Sequence, residues 1–168
     1  MIKIAITGVE STGKSTLARE LTNHFKGIYV EEFARSFLAD NDTAYSYDDV
    51  LTIAKIQHKL IQKAASGKDA FLFADTELLV TYVWCSYKFG KVHSWISENL
   101  LQQKFDLYLL PAVDLPWQSD PLRENPNDRE ILFNTYLAEL ERLHFPYAVI
   151  SGRDDERLQN AIRAIETR

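Results

Sequence analysis

The stretch Gly8-Val9-Glu10-Ser11-Thr12-Gly13-Lys14-Ser15 decides how this chain is interpreted. It fits the pattern G-x-x-x-x-G-K-[ST] at every fixed position. The apolar run before it, residues 2–6, is typical of a strand, and residues 14–25 after it carry apolar side chains at helical spacing. A strand, a glycine-rich loop and a helix in this order predict a phosphate-binding loop (P-loop).

Each fixed position of the motif has a chemical reason. The two glycines allow backbone angles that a side chain would make costly, so that loop N–H groups turn inward around a phosphate. The lysine reaches the terminal phosphates of a nucleotide, and the final serine supplies a hydroxyl ligand for Mg²⁺. We therefore expect ATP and Mg²⁺ as cofactors, with these ATP-binding residues in and near the loop: Gly8, Glu10, Ser11, Thr12, Gly13, Lys14, Ser15, Thr16 and, after the last strand, Gly152.

Strand and helix patterns alternate along the rest of the chain, which predicts an α/β fold with a parallel sheet. The third strand pattern is apolar throughout, as in a strand covered on both faces. Gly27 is predicted to end the first helix. The expected fold is a three-layer P-loop fold with five strands (residues 2–6, 28–30, 70–74, 106–110 and 147–150) and helices over residues 14–25, 31–39, 48–65, 77–88, 93–103, 130–143 and 154–165.

Composition narrows the class of protein further. The chain has 168 residues, which suits one domain, and 46% of them are hydrophobic. Its formal net charge of −5 argues against a general nucleic-acid binder. We found no apolar run long enough for a membrane helix and no signal-peptide pattern, and the single cysteine fits a reducing compartment, so the expected location is cytoplasmic. The oligomeric state is left open.

Acidic and basic residues follow the predicted second and third strands. Asp75 comes directly after the third strand, where it could hold Mg²⁺ or accept a proton from an attacking hydroxyl; alternatively it caps the next helix. Glu31, Glu32 and Arg35 follow the second strand, either as a site for a hydroxylated acceptor or as a solvated salt bridge. Because ligands bind beyond the carboxyl ends of parallel strands, we expect Asp75 to lie near the P-loop.

Residues 114–130 form the one long irregular stretch, and such loops are usually functional or mobile. Arg123 and Arg129 within it could stabilise the charge on a phosphoryl group in transfer, while the loop excludes water as a lid. The alternative is two solvated arginines balanced by neighbouring acidic residues. We define the lid as residues 114–130.

A P-loop alone does not choose a reaction. No Asn-Lys-x-Asp sequence, typical of GTPases, is present, and a large ATPase machine would need a longer chain. A kinase for a small metabolite fits a chain of this length.

Several segments together resemble the ribosylnicotinamide kinase domain of NadR-type proteins. The similarity runs nearly from end to end, and the segment 116–123 is far more specific than a P-loop. The similar segments are Gly8 to Thr16, Glu32-Phe33-Ala34-Arg35, Tyr47 with Ile53-Ala54, Asp75-Thr76, Pro116-Trp117-Gln118-Ser119-Asp120-Pro121-Leu122-Arg123 and Asp128-Arg129.

The resemblance implies transfer of the ATP γ-phosphoryl group to the 5′-hydroxyl of nicotinamide riboside, which gives nicotinamide mononucleotide. It also implies a nucleoside-kinase-like fold with a lid. The site residues it implies are Lys14, Asp75, Glu32, Arg123 and Arg129 for catalysis, Glu32, Arg35, Asp75, Trp117 and Asp120 for the small-molecule nucleoside, and Ser15 and Asp75 for the metal, with the general base left open between Glu32 and Asp75.

The sequence departs from the family pattern at two positions. Thr12 replaces a serine, and Pro121 replaces a glycine, which is expected to stiffen the lid. No adenylyltransferase or DNA-binding domain is expected, so neither synthesis of the dinucleotide nor a repressor role follows. Two alternatives remain: a kinase for another nucleoside or small hydroxylated metabolite, and a nucleotide-binding regulator without turnover.

Overall fold

The computed structural model describes residues 1–40, 45–120 and 123–168. The polar sequence over residues 41–46 predicts a break between two helices, and residues 41–44 of it lie outside this part, as does Pro121. The elements, each within two residues of its prediction, are β1 (Ile2–Ile6), α1 (Lys14–Phe25), β2 (Ile28–Val30), α2 (Phe33–Asp40), α3 (Tyr47–Ala65), β3 (Phe71–Asp75), α4 (Leu78–Phe89), α5 (Ser94–Gln102), β4 (Leu107–Pro111), α6 (Arg129–Arg142), β5 (Tyr147–Ile150) and α7 (Asp154–Glu166).

The five strands form one parallel sheet in the order β2-β3-β1-β4-β5. This confirms the predicted α/β fold. Strand β1 lies at the centre, with Ile6 paired to Asp75 at the end of β3 and Ile4 paired to Leu107 of β4. The P-loop therefore begins at the end of the central strand, and the loops that follow β2 and β3 lie beside it at the same edge of the sheet.

Alternation along β1 divides the core into two layers, since successive strand side chains face opposite sides of a sheet. Ile4 and Ile6 point into a layer covered by α1 and α7. Ala5 points into the other layer, which α3, α4, α5 and α6 cover. Within the described residues, no helix is long and apolar enough to cross a membrane.

The end of α1 differs from the prediction. Lys26, and not Gly27, takes the left-handed conformation there, with φ of 53°. A Cβ atom on Gly27 would come 2.8 Å from the carbonyl oxygen of Phe71, so the glycine serves the close approach of the chain to β3. The predicted turn at the end of α1 is confirmed, but its glycine allows close packing and does not supply the left-handed conformation.

Candidate active site

A cleft of about 900 Å³ opens along the carboxyl edge of the sheet. The P-loop forms the floor of the cleft, and the lid covers it. Glu32, in the loop after β2, and helix α4 form one wall. Of the predicted site residues, those that line the cleft are Gly8, Glu10, Ser11, Gly13, Lys14, Ser15, Thr16, Glu32, Arg35 and Arg123.

The P-loop has the backbone that its sequence predicts. Gly8 and Gly13 have φ of 115° and 79°, and a Cβ on Gly8 would come 2.6 Å from the side chain of Leu110. Lys14 begins α1, and its ammonium donates to the carbonyl oxygen of Val9 at 2.8 Å. Burial lowers the pKa of Lys14 from its usual value, although nearby carboxylates oppose this.

Two carboxylates stand beside the P-loop. Glu32 lines the cleft, and burial raises its pKa above the ordinary range, with the charge of Asp75 acting in the same direction and the charge of Lys14 opposing both. Asp75 ends β3 and is only 1% exposed. Its Oδ2 accepts a hydrogen bond from the Tyr29 hydroxyl at 3.0 Å, whereas its Oδ1 is buried and has no partner in the described part of the chain.

The donor set suits Mg²⁺. Magnesium binds hard oxygen ligands, and in nucleotide sites it takes one or two protein oxygens together with phosphates and water. The Ser15 hydroxyl and the carboxylate of Asp75 offer such oxygens, and the Asp75 Oδ1 atom is a buried acceptor that is left to be satisfied. These residues therefore fit the metal.

Asp75 is not the helix cap that one alternative suggested. The N-cap of α4 is Glu77, whose carboxylate accepts from the backbone N–H of Leu79 at 2.7 Å and from the Thr7 hydroxyl at 2.9 Å. Burial raises the pKa of Glu77. Capping is thus supplied two residues later, and the Asp75 carboxylate, almost fully buried, is not among the cleft-lining residues of the described chain.

The lid arginines contact the P-loop in different ways. The Arg123 guanidinium donates to the Ser11 hydroxyl at 3.3 Å and lines the cleft. Arg129 donates to the carbonyl oxygens of Ser11 and Leu115 at 3.2 and 2.9 Å, and it lies over the ring of Trp117 at 5.7 Å. Arg129 and Trp117 are not among the cleft-lining residues of the described chain, so this pair holds the lid from outside.

Further polar contacts join the lid to the P-loop and to α2. The Glu10 carboxylate accepts from the backbone N–H of Glu124 at 3.0 Å. Arg35 forms an exposed ion pair with Asp120 at 3.2 Å. The Arg35 and Asp120 side chains thus come together as a bridge between α2 and the lid, with Arg35 facing the cleft and Asp120 set back from it.

Helix α4 binds the lid through a second cluster. The Lys88 ammonium lies 2.7 Å from a Glu124 carboxylate oxygen, and both contact the Tyr45 hydroxyl, which also accepts from the indole N–H of Trp84 at 2.9 Å. Tyr87 is 44% exposed and donates to Asp128 at 2.7 Å.

A buried arginine organises the other side of the P-loop. Arg157 is 4% exposed and donates to the carbonyl oxygens of Thr12 and Gly152 at 2.6 and 2.7 Å, and its guanidinium is paired with the Asp114 carboxylate. Asp114 also accepts from the N–H of Gly152 at 2.7 Å. Gly152, predicted to face a nucleotide base, is therefore tied to the P-loop, although it does not itself line the cleft in the described chain.

The sequence analysis missed Gln57 and Arg157. A signal for both was present. Gln57 falls on the buried face of α3 at helical spacing from Ile53 and Ile61, and Arg157 starts the buried face of α7. A polar side chain at an otherwise apolar inward position needs partners, and here those partners are backbone groups around the site.

Comparison with known proteins agrees with this architecture. Residues 3–157 match the family described as AAA domain. The trifunctional NAD biosynthesis/regulator protein NadR of Escherichia coli (strain K12) is 28% identical over 169 residues, which cover 96% of this chain and 41% of the relative. The NadR protein of Salmonella typhimurium is 27% identical over 97% of this chain and 42% of the relative. The chain thus spans about two fifths of the length of these curated relatives.

Solved structures share the fold. A NadR protein in complex with NR superposes with a TM-score of 0.86 at 20% identity, over 99% of this chain and 51% of that one. A deoxyadenosine kinase from M. mycoides has a TM-score of 0.71 at 14% identity, over 99% of this chain and all of that one. The chain therefore has the P-loop kinase fold, is homologous to NadR, and belongs to the AAA domain family.

Proposed function

We propose that this chain transfers the γ-phosphoryl group of ATP to the 5′-hydroxyl of nicotinamide riboside and so forms nicotinamide mononucleotide. The observation that carries this proposal is the arrangement of the cleft, in which the P-loop lysine and the Glu32 carboxylate share one lining under an arginine of the lid. Homology to NadR, of which one solved structure is a complex with NR, supports this choice of acceptor.

The P-loop binds the donor in this proposal. Loop N–H groups surround the β- and γ-phosphates, and the Lys14 ammonium exchanges its contact with the Val9 carbonyl oxygen for a phosphate oxygen. Ser15 and Asp75 would hold Mg²⁺, which when bound neutralises charge on the phosphates. Glu10, Ser11, Thr12, Gly13 and Thr16 complete the ATP-binding loop, and Gly152 supports the side near the base.

A carboxylate prepares the acceptor. The 5′-oxygen attacks the γ-phosphorus, its proton passes to the Glu32 or the Asp75 carboxylate, and the bond between the γ-phosphorus and the bridging oxygen breaks to release ADP. The pKa of Glu32 is raised by burial, which brings this carboxylate closer to the proton affinity that a general base needs. Arg35, which lines the cleft, is proposed to position the nucleoside directly, whereas Trp117 and Asp120 are proposed to do so through their contacts with Arg129 and Arg35.

The lid completes the site. We infer that residues 1–168 act as one kinase unit in which residues 114–130 close over the substrates. Arg123, which lines the cleft, stabilises negative charge on the group in transfer. Arg129 supports the same lid from outside the cleft through the carbonyl oxygens of Ser11 and Leu115.

A kinase for another nucleoside is the second candidate. The likeness to deoxyadenosine kinase shows a common fold, and that fold accommodates acceptors other than nicotinamide riboside. The two candidates share the donor site and differ at the end of the cleft near Trp84 and Lys88.

The test is a coupled ADP-release assay with Mg·ATP, with nicotinamide riboside and with a panel of other nucleosides, and with product masses recorded. ADP release that depends on the riboside, together with the mass of the mononucleotide, supports the proposal. Release with a different nucleoside supports the second candidate. The Lys14→Ala variant is the control, and we expect it to lose transfer while keeping its fold; unchanged turnover would contradict the P-loop assignment.

A further inference from the structure

Gln57 is a buried glutamine that the proposed chemistry does not use. It lies on the inward face of α3 and is 3% exposed. Its side chain reaches two loops that are distant in sequence from each other, one after β2 and one after β3. The first of these loops carries Glu32, and the second follows directly after Asp75, the last residue of β3.

The first set of contacts brackets Glu32. The Gln57 Oε1 atom accepts from the backbone N–H of Phe33 at 2.8 Å, and its Nε2 atom donates to the carbonyl oxygen of Glu31 at 3.2 Å. Phe33 is the first residue of α2, so this N–H is one of the helix donors that need a partner outside the helix. One amide thus fixes the backbone on both sides of the Glu32 carboxylate.

The second set of contacts holds the turn after β3. The same Nε2 atom lies 3.5 Å from the carbonyl oxygen of Asp75 and 3.4 Å from that of Thr76. Thr76 has φ of 70°, a left-handed conformation that is unfavourable for a residue with a Cβ. A strained turn persists only where its surroundings hold it, and Gln57 is part of those surroundings.

The orientation of the amide is fixed by its partners. All three acceptors are carbonyl oxygens on the Nε2 side, where the neighbouring Asp75 and Thr76 oxygens share one of the two N–H groups, and the one donor is an N–H on the Oε1 side. A carboxylate could not donate to the carbonyl oxygens, and an apolar side chain could make none of the contacts.

We propose that Gln57 is a positioning residue, which sets the separation and orientation of the Glu32 and Asp75 carboxylates by joining the loop that carries Glu32 to the end of β3, where Asp75 lies. The proposal rests on the proposed function and names a further residue for the same site. Gln57 is among the residues that line the cleft, but in this scheme it has no direct role toward phosphate or acceptor. It acts through the backbone, and misplacement of reacting groups by about 1 Å can cost roughly 10²-fold in rate.

The test compares Gln57→Met with Gln103→Met. Gln103 is also a buried glutamine, 9% exposed, and it donates to Glu77 and to the Tyr108 hydroxyl away from the cleft. We expect Gln57→Met to lower kcat for mononucleotide formation by about 10–100-fold with the KM for ATP unchanged within about twofold. Gln103→Met, destabilised by a comparable loss of buried hydrogen bonds, should keep its kcat.

Amide hydrogen exchange supplies a readout that is independent of turnover. We expect the Phe33 N–H to exchange at least about tenfold faster in Gln57→Met than in Gln103→Met, since it has lost its acceptor. Unchanged Phe33 exchange, or an unchanged kcat in folded Gln57→Met, would overturn the proposal. An equal loss of kcat in Gln103→Met would also overturn it, because general destabilisation would then suffice.

A second variant keeps the proposal testable if Gln57→Met does not fold. Gln57→Asn keeps the amide but is one methylene shorter, so it cannot reach both loops at once. We expect it to show the same kcat loss and the same faster Phe33 exchange. If wild type phosphorylates no nucleoside, the proposed function fails, whereas the exchange comparison still decides whether Gln57 joins the two loops.

Discussion

The cleft is bounded by two regions that are held in opposite ways, the sheet edge (Glu32, Gln57 and Asp75 with their loops) and the lid. At the sheet edge the contacts are buried, and Gln57 and Asp75 are at most 3% exposed. The outer contacts of the lid include the Arg35–Asp120 and Lys88–Glu124 ion pairs, whose arginine and lysine side chains are 48% and 36% exposed. At its first residue, Asp114, the lid is instead paired with the buried Arg157.

This difference has energetic consequences. A buried polar group that loses its partner costs about 1–3 kcal/mol, whereas an exposed ion pair contributes about 0–1 kcal/mol. The sheet edge is therefore set when the chain folds, whereas the exposed ion pairs of the lid can separate at small cost. A lid that opens at small cost allows substrates to enter, whereas a firmly held sheet edge keeps the reacting groups in place.

The largest expected effect is on the lid. Arg123→Gln should lower kcat by about 10³-fold, because an arginine that stabilises charge in phosphoryl transfer is worth at least that much. Its thermal midpoint should change little, since the Arg123 contacts to the Ser11 hydroxyl of the P-loop and to the Gln118 carbonyl oxygen of the lid are at most partly buried. Steady-state turnover and thermal unfolding measure the two quantities.

Arg129→Gln is the matched control for this prediction. Arg129 anchors the lid by backbone carbonyl oxygens and does not line the cleft in the described chain, so its removal should cost less kcat than removal of Arg123. An equal or larger loss in Arg129→Gln would mean that both arginines act only by holding the lid.

At the sheet edge, Asp75→Asn should lower kcat by roughly 10²-fold, whether the carboxylate binds Mg²⁺ or accepts the proton. Stability should be nearly unchanged, because the Tyr29 hydroxyl can still donate to the amide oxygen. A parallel titration of Mg²⁺ separates the two roles, since loss of a metal ligand raises the Mg²⁺ concentration needed for half-maximal rate. Retention of full kcat would remove Asp75 from the site.

A pH-dependent stability is expected from Glu32, whose pKa is raised in the folded protein by burial. Its neutral form is favoured on folding, so its contribution is fully present below the unfolded pKa and is lost as pH rises through the folded pKa. Glu32→Gln should therefore raise the thermal midpoint more at pH 8 than at pH 5, while it lowers kcat.

The neighbouring Glu31 offers a control for that measurement. It is exposed and lies 3.8 Å from Arg19, so Glu31→Gln should show a smaller difference between the two pH values. A midpoint for Glu32→Gln that falls at pH 8 would show that the charged form of Glu32 is stabilised by Lys14 more than burial opposes it.

Much of the fold and the floor of the cleft could be predicted from the sequence. The contacts between distant segments could not, for a physical reason. Local patterns gave all five strands, and the P-loop spacing gave the floor of the cleft, because both depend on neighbouring residues. Strand order and the contacts of Gln57 depend on residues far apart in the chain. Periodicity could mark Gln57 as a polar residue on an apolar face, but it could not say which backbone groups satisfy it.

The irregular segment 114–130 pointed to the two lid arginines, and the resemblance to the NadR-type kinase domain favoured a functional role for them over two solvated side chains. Homology to NadR confirms that resemblance. The roles of individual site residues stay predictions. The sequence also did not separate Arg123 from Arg129, because both lie in one irregular segment without periodicity. Distinguishing the two arginines required knowing where the lid lies relative to the P-loop.

The smallest expected effect concerns the stability that an exposed lid contact contributes. Lys88→Met removes the ion pair to Glu124 and the contact with the Tyr45 hydroxyl, both at the surface. We expect the free energy of unfolding in urea to fall by about 0.5 kcal/mol, as for an exposed pair. Gln57→Met, measured in the same way, should lose about 1–3 kcal/mol because its partners are buried. Equal losses in the two variants would mean that the lid is fixed as firmly as the sheet edge, and the lid could then not open at small cost.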